Sequence, residues 1–304
     1  MGVSAPIGAY VAGHHFSENQ IAGDYAASVV AGERRGQANI WWSVQADRKV
    51  LALTFDDGPT EQFTGKVLDV LDAYQVPASF FLIGEMVNRR PDDVRRSIQA
   101  GHEVANHTFD HRSASLQTPD ETRRTMERGA DAVGAVLGHR PRWFRPVKGH
   151  ITGAVLNAAS ELQHDIAVWA YGRGPASGPH DMVADDDVNG VRDYMVDSVF
   201  EGAIVILHDG IGRSAWEWSG PDDQLVLQRS TEVQALPAVI ENYLAAGYEF
   251  MTLSELIDTY GSPHGQLPVT ARSRTSERAG AESLIDAEGC ARDRPSTRLA
   301  EEPK

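Results

Sequence analysis

His107 and His111 stand four residues apart in the segment Asn106-His107-Thr108-Phe109-Asp110-His111. On a helical turn that spacing puts both imidazoles on one face, where two neutral rings make good ligands for zinc or another divalent ion. The competing reading is a capped helix with two surface histidines. Asp56-Asp57-Gly58-Pro59 supplies two adjacent carboxylates. One would complete a site of two histidines and one carboxylate, with positions open to water and substrate. Its neighbour could act as general base on the activated water. A turn capping a helix explains one aspartate better than two. His208 closes the apolar run Ala203-Ile204-Val205-Ile206-Leu207 and reads as a core histidine or as a proton donor.

The elements that must position these groups follow from periodicity. Lys49–Phe55 is almost continuously apolar, as a strand buried on both faces requires. Phe63, Val67, Leu68, Leu71 and Tyr74 follow at helix spacing. Further strands are predicted at Ala78–Leu82, Glu103–Ala105, Trp143–Phe144, Ile166–Trp169, Ala203–Leu207 and Tyr248–Met251. Helices are predicted between them, among them Pro91–Ala100 and Pro119–Leu137. Strand–helix alternation implies a parallel sheet of about seven strands, open or closed into a barrel. Asp56-Asp57, Asn106–His111, Arg145-Pro146 and His208-Asp209 each fall at a strand's C-terminal end, where a parallel barrel assembles its active site.

The chain has 304 residues with 28 Lys+Arg against 43 Asp+Glu, a formal charge of −15. That balance argues against nucleic acid, whose phosphates need clustered cations. No apolar stretch approaches a membrane span. Met1–Gln20 lacks a basic segment followed by an apolar one, so the chain reads as cytoplasmic, and as exported only if a signal had been removed. Cys290 is the single cysteine, so no internal disulfide forms. Three zones are expected: 1–48, an extension packing on the barrel; 49–260, the catalytic domain; and 261–304, a polar disordered tail with seven basic and seven acidic residues. His102 is expected to be buried beside its strand, and Trp41-Trp42 to be structural. Trp216 and Trp218 read either as a sugar-stacking wall or as a packed loop. Oligomeric state leaves no mark in the sequence.

The order Thr54-Phe55-Asp56-Asp57-Gly58-Pro59, His107-Thr108-Phe109-Asp110-His111, Phe144-Arg145-Pro146 and Ile206-Leu207-His208-Asp209 resembles the motifs of the polysaccharide deacetylases, carbohydrate esterase family 4. Pro77–Phe81 and Gly101–Asn106 also look like the family. The resemblance implies an α/β fold, an incomplete, distorted (β/α) barrel. It implies one divalent metal, zinc first with cobalt or manganese as alternatives, held by Asp57, His107 and His111. Asp56 matches the catalytic base, Arg145 the arginine that orients it, and His208 the general acid. The implied reaction is metal-assisted hydrolysis of an N-acetyl group on an amino sugar. A catalytically silent sugar-binding relative is the alternative. A two-histidine, one-carboxylate iron oxygenase is a third reading, against which the strand–helix series speaks.

Two departures from the pattern bear on substrate. Val147-Lys148-Gly149 stands where the family has a proline and an aromatic before glycine. Lys148 can still offer its backbone N–H to an oxyanion. Trp169-Ala170-Tyr171-Gly172-Arg173-Gly174-Pro175 lacks the fourth motif's Asp and Trp; Asp181, Asp185, Asp186 and Asp187 are candidates for a substitute carboxylate, and the sequence does not decide among them or show that one exists. With no visible export signal, the expected substrate is a short, soluble N-acylated amino sugar or oligosaccharide rather than peptidoglycan or insoluble chitin.

Overall fold

A computed structural model describes residues 38–170, 183–212 and 222–261. Eight strands form one sheet: β1 (Ile40–Trp41), β2 (Val50–Asp56), β3 (Ser79–Leu82), β4 (Glu103–Asn106), β5 (Trp143–Phe144), β6 (Asp165–Ala167), β7 (Ala203–His208) and β8 (Glu249–Met251). The helices are α1 (Thr64–Tyr74), α2 (Gly84–Arg89), α3 (Pro91–Gln99), α4 (Pro119–Leu137), α5 (Gly153–Glu161), α6 (Val188–Ser198), α7 (Asp222–Ala245) and α8 (Leu253–Tyr260). Each of the seven expected strands is present, with ends shifted by up to two residues. β1 is additional. It lies in the zone 1–48, and its place as an edge strand of the sheet is set by pairing with β6. Residues 1–37 and the expected tail beyond Gly261 lie outside the described residues.

The strands run in the order β1-β6-β5-β4-β3-β2-β7, with β8 beside the first half of β2, and every strand pairing is parallel. Hence every strand ends on one rim. Among the described residues no strand ladder closes the sheet between β7 and the β6–β1 edge. That gap is crossed by an antiparallel bridge between Ser43 and Ala203 and by a 3.2 Å hydrogen bond from Ala170 N–H to the Ile204 carbonyl.

The period of two along the strands divides the core and places the chemistry. Leu51, Leu53 and Phe55 point outward into the larger cluster, with Phe80, Val104 and Phe144 and the helices' Val67, Leu68, Met126, Val133 and Val239. Val50 and Ala52 point inward with Phe81, Ala105, Trp143, Ala167 and Ile204, against Leu253, Leu256 and Ile257 of α8. Thr54 and Asp56 continue the inward row of β2. One strand therefore carries its apolar plug at one end and a carboxylate at the rim. Trp41 and Trp42 are buried in these clusters and His102 is buried at the start of β4, as expected.

Helix ends are set locally. Thr118 and Glu121 form a reciprocal capping box at the start of α4, and Gly138 closes it at φ 89°. Thr252 and Glu255 form a second box on α8.

Candidate metal and catalytic site

His107 and His111 do not share a helix face. Both belong to an irregular loop after β4, which corrects the helical-turn expectation. The reason is side-chain competition for backbone groups. Asn106 Oδ1 accepts from Thr108 N–H at 3.0 Å, and Thr108 Oγ1 accepts from His111 N–H at 3.0 Å. Thr108 and His111 sit at φ 70° and 54°, outside helical space. α4 holds the loop from outside. Asn106 Nδ2 donates to the Met126 carbonyl at 2.8 Å, Phe109 N–H donates to Thr125 Oγ1, and the Arg128 guanidinium lies 3.6 Å from the Phe109 ring centroid. A Cβ on Gly129 would fall 2.3 Å from Asn106 Oδ1, so only glycine lets α4 approach this closely.

The loop brings the two rings to 5.1 Å between centroids. Asp57 Oδ1 lies 3.1 Å from His111 Nε2 and 3.5 Å from His107 Nε2. One ligand atom from each of the three buried residues lies within 4.8 Å of the others. His107 Nδ1 is 2.8 Å from the Arg145 carbonyl, which can only accept, so Nδ1 carries the proton and Nε2 presents its lone pair. Burial opposes ionisation of Asp57, yet the adjoining His111 and His107 rings hold its carboxyl well below the usual carboxylate range in the metal-free protein. Burial likewise opposes charging His107, but Asp56 and Asp57 raise its pKa above the ordinary histidine value. Two imidazoles crowding one ionised, buried carboxylate form a donor set that fits a divalent cation.

Asp56 faces the same space but is held by a different group. Arg145, with no exposed side-chain surface, donates from Nη1 to Asp56 Oδ1 at 2.6 Å and to Thr54 Oγ1 at 3.0 Å. Its Nε and Nη2 donate to the carbonyls of Ala167 and Val168, and its guanidinium stacks 3.8 Å from the Phe81 ring centroid. A guanidinium so fully satisfied fixes one oxygen of Asp56. The other, Oδ2, is 3.7 Å from His107 Nε2.

Opposite, β7 pairs His208 with Asp56 in register. Glu232 of α7 grips His208 twice: Oε2 accepts from His208 N–H at 2.6 Å, and Oε1 lies 3.1 Å from the ring Nδ1. Arg229, one turn earlier on α7, donates to the Gly210 carbonyl at 2.8 Å and lies 3.6 Å from Asp57 Oδ2 and 3.5 Å from Glu232 Oε1. Next along the chain, burial pushes the Asp209 carboxyl up to about 7, with Asp57 and Asp56 adding to the rise and the Thr64 hydroxyl opposing it. Gly210 is required here, because a Cβ would fall 2.1 Å from the Asp57 carbonyl oxygen.

The sequence pattern described as polysaccharide deacetylase matches residues 43–167. A peptidoglycan-N-acetylglucosamine deacetylase of Bacillus cereus is 33% identical over 218 residues, spanning 72% of this chain and 92% of the relative. A chitooligosaccharide deacetylase of Bradyrhizobium is 34% identical over 205 residues, spanning 67% of this chain and 89% of the relative. This chain belongs to the polysaccharide deacetylases. The crystal structure of the Bc1960 peptidoglycan N-acetylglucosamine deacetylase superposes with a TM-score of 0.62 at 26% identity, covering 79% of this chain and 98% of that one. BA3943 of Bacillus anthracis, a CE4 family pseudoenzyme, shares the fold with a TM-score of 0.60 at 21% identity, covering 72% and 69%. A deacetylase fold is therefore no guarantee of catalysis, which depends on the side chains at the rim.

Within this polysaccharide deacetylase, all six residues singled out from the sequence meet at one rim. Two of the candidates to replace the fourth-motif carboxylate are engaged elsewhere. Asp185 accepts from Gln224 and Gln228, and Asp187 caps α6. Asp181 lies outside the described residues, as do Trp216 and Trp218. The carboxylate on His208 is Glu232, and sequence reasoning missed it with Arg229. Their i, i+3 spacing on α7 was the available signal, but nothing local ties that helix to His208. Lys148 is exposed at φ 57°, in the turn following Arg145.

Proposed function

We propose that this chain is a metal-dependent N-deacetylase acting on N-acetylglucosamine residues of a glycan, and that Asp57, His107 and His111 hold the metal. What carries this reading is the meeting of that triad with an Arg145-held Asp56 and a Glu232-held His208 at one rim of a deacetylase fold. A divalent ion there, zinc first, would supply Lewis acidity toward water and the acetyl carbonyl. Asp56 takes a proton from the attacking water through Oδ2, while Arg145 keeps Oδ1 aimed away. In this reading the backbone N–H of Lys148 is the donor assigned to the developing oxyanion. His208 gives a proton to the departing nitrogen as the C–N bond breaks, leaving free amine and acetate.

The relatives named for peptidoglycan and for chitooligosaccharides support a glycan over the free sugar. We place short, soluble oligosaccharides first, because an exposed Lys148 stands at the rim where the family has an aromatic ring. Acetate release by the zinc-loaded protein from chitooligosaccharides, glycol chitin and peptidoglycan tests it. Release without oxygen consumption, best on the oligosaccharides, is expected. No acetate from any substrate would overturn the enzymatic reading in favour of a silent relative. Faster turnover of a polymer would overturn the choice of short substrates.

A further inference from the structure

His208 is positioned by a carboxylate that the sequence motif does not contain. Glu232 is buried, with its side chain 1% exposed, whereas the His208 side chain is 20% exposed toward the rim. A buried carboxylate is costly unless each oxygen is satisfied. Here one oxygen accepts the backbone N–H of His208, and the other faces that residue's ring Nδ1 and the Arg229 guanidinium. Gripping backbone and ring together fixes the side-chain rotation. It also selects the tautomer, because a proton on Nδ1 meets the carboxylate and leaves Nε2 to exchange a proton with substrate. The bracing reaches further. Arg229 ties the same helix to the Gly210 carbonyl, two residues beyond His208. α7 packs directly on β7, so the helix that holds the histidine also supports the strand that ends in it.

We propose that Glu232 is the positioning residue of His208, supplied by α7 in place of the carboxylate absent from Trp169–Pro175, with Arg229 holding Glu232 in turn. The proposal rests on the reading of His208 as proton donor. In the step concerned, the amide C–N bond breaks, its electron pair goes to nitrogen, and His208 Nε2 delivers the proton that makes the amine neutral. Water supplies the hydroxyl that ends in acetate. Glu232 touches neither substrate nor metal and gives up no proton in this step. Its effect belongs to the nitrogen-protonation step, so a leaving group that departs as a stable anion should not need it.

The test compares zinc-loaded wild type with Glu232→Gln, Glu232→Asp and His208→Ala. Substrates are a chitooligosaccharide and 4-nitrophenyl acetate, whose phenolate leaves without a proton. Ring N–H signals are followed by NMR with labelled histidine. Glu232→Gln should lower kcat on the oligosaccharide about 10–100-fold with KM within about twofold. It should change the ester rate less than about threefold, retain zinc, and lose or shift the Nδ1–H signal that His208→Ala removes. Glu232→Asp should recover part of kcat. Should Glu232→Gln not fold, Glu232→Asp carries the same comparison of substrates and of the ring signal. An unchanged Nδ1–H signal, or equal losses on both substrates, would overturn the proposal. If Glu232→Gln turns over normally while His208→Ala is inactive, the proposal fails and the reading of His208 stands. If His208→Ala itself retains full amide turnover, that reading fails, and the proposal with it.

Discussion

The rim of the sheet carries two half-sites built in opposite ways. On one side, Asp57, His107 and His111 come from the ends of β2 and β4, which both pair with β3. Their geometry is written locally. Asn106 and Thr108 capture backbone N–H groups within five residues of one another and so shape the loop, while the carbonyl that fixes the His107 tautomer comes from Arg145 at the next strand end. On the other side, His208 comes from β7 and its partner Glu232 from α7, 24 residues on and reached only through the packing of a helix on the sheet. In the proposed mechanism the first half holds the metal and activates water. In the same mechanism the second donates a proton, with its carboxylate supplied by a helix and not by the strand-end motif. This difference accounts for a chain that keeps the metal motif intact while its fourth motif has lost its acid.

If the halves are separable, damage to each should read out differently. The largest effect is expected from His107→Ala, which should abolish stoichiometric zinc binding and lower turnover by about 10³-fold or more, by metal analysis and acetate release. Retained zinc with full turnover would remove the triad from the site. Asp56→Asn should keep zinc and lose about 10²–10⁴-fold in turnover, because it deletes a base and not a ligand. Zinc loss as complete as in His107→Ala would reverse the roles of Asp56 and Asp57.

Asn106→Ala sharpens the claim that the metal half is locally braced. It deletes buried hydrogen bonds to the Met126 carbonyl and from Thr108 N–H, a cost of about 2–3 kcal/mol by denaturant unfolding. Zinc affinity should fall about 10–100-fold, as for other partners behind a metal's ligands. Normal zinc affinity in a folded Asn106→Ala protein would show that the loop holds its shape without this brace.

The smallest effect concerns Asp209, which lies between the halves. Its carboxyl titrates at about 7 in the folded protein, against an ordinary value of 3.8. The folded state therefore binds a proton that the unfolded chain has released. The stability contributed by that proton is fully present below pH 4 and is lost as pH rises through about 7. In zinc-free protein, Asp209→Asn should flatten part of the decline in unfolding midpoint between pH 4 and 7. An identical pH profile in the variant would place the titration elsewhere.

Most of the sheet was legible in the residues, because strands buried on both faces announce themselves as apolar runs. β1 was not, since two residues give no period and only pairing with β6 makes them a strand. The Asp56-Asp57 pair and both histidines were legible as chemistry, while their conformation was misread. Four-residue spacing suggests a helix, and the Asn106 and Thr108 side chains pull the backbone out of one.

By itself the sequence determined which residue types stand at the strand ends, and hence the candidates for the metal triad, the base and its arginine, because each is bound to a short motif and to the parallel direction of the strands. Only the tertiary structure decided what partners His208. A helix carries its polar groups in every direction, and which of the acidic residues of α7 is buried depends on how that helix rotates against β7 and α6. That rotation is set by the fit of apolar surfaces such as Ala235, Leu236, Val239 and Ile240 against the sheet and its neighbouring helices. It points Arg229 and Glu232 inward, one helical turn apart, at a histidine whose own neighbourhood in the chain offers no sign of them.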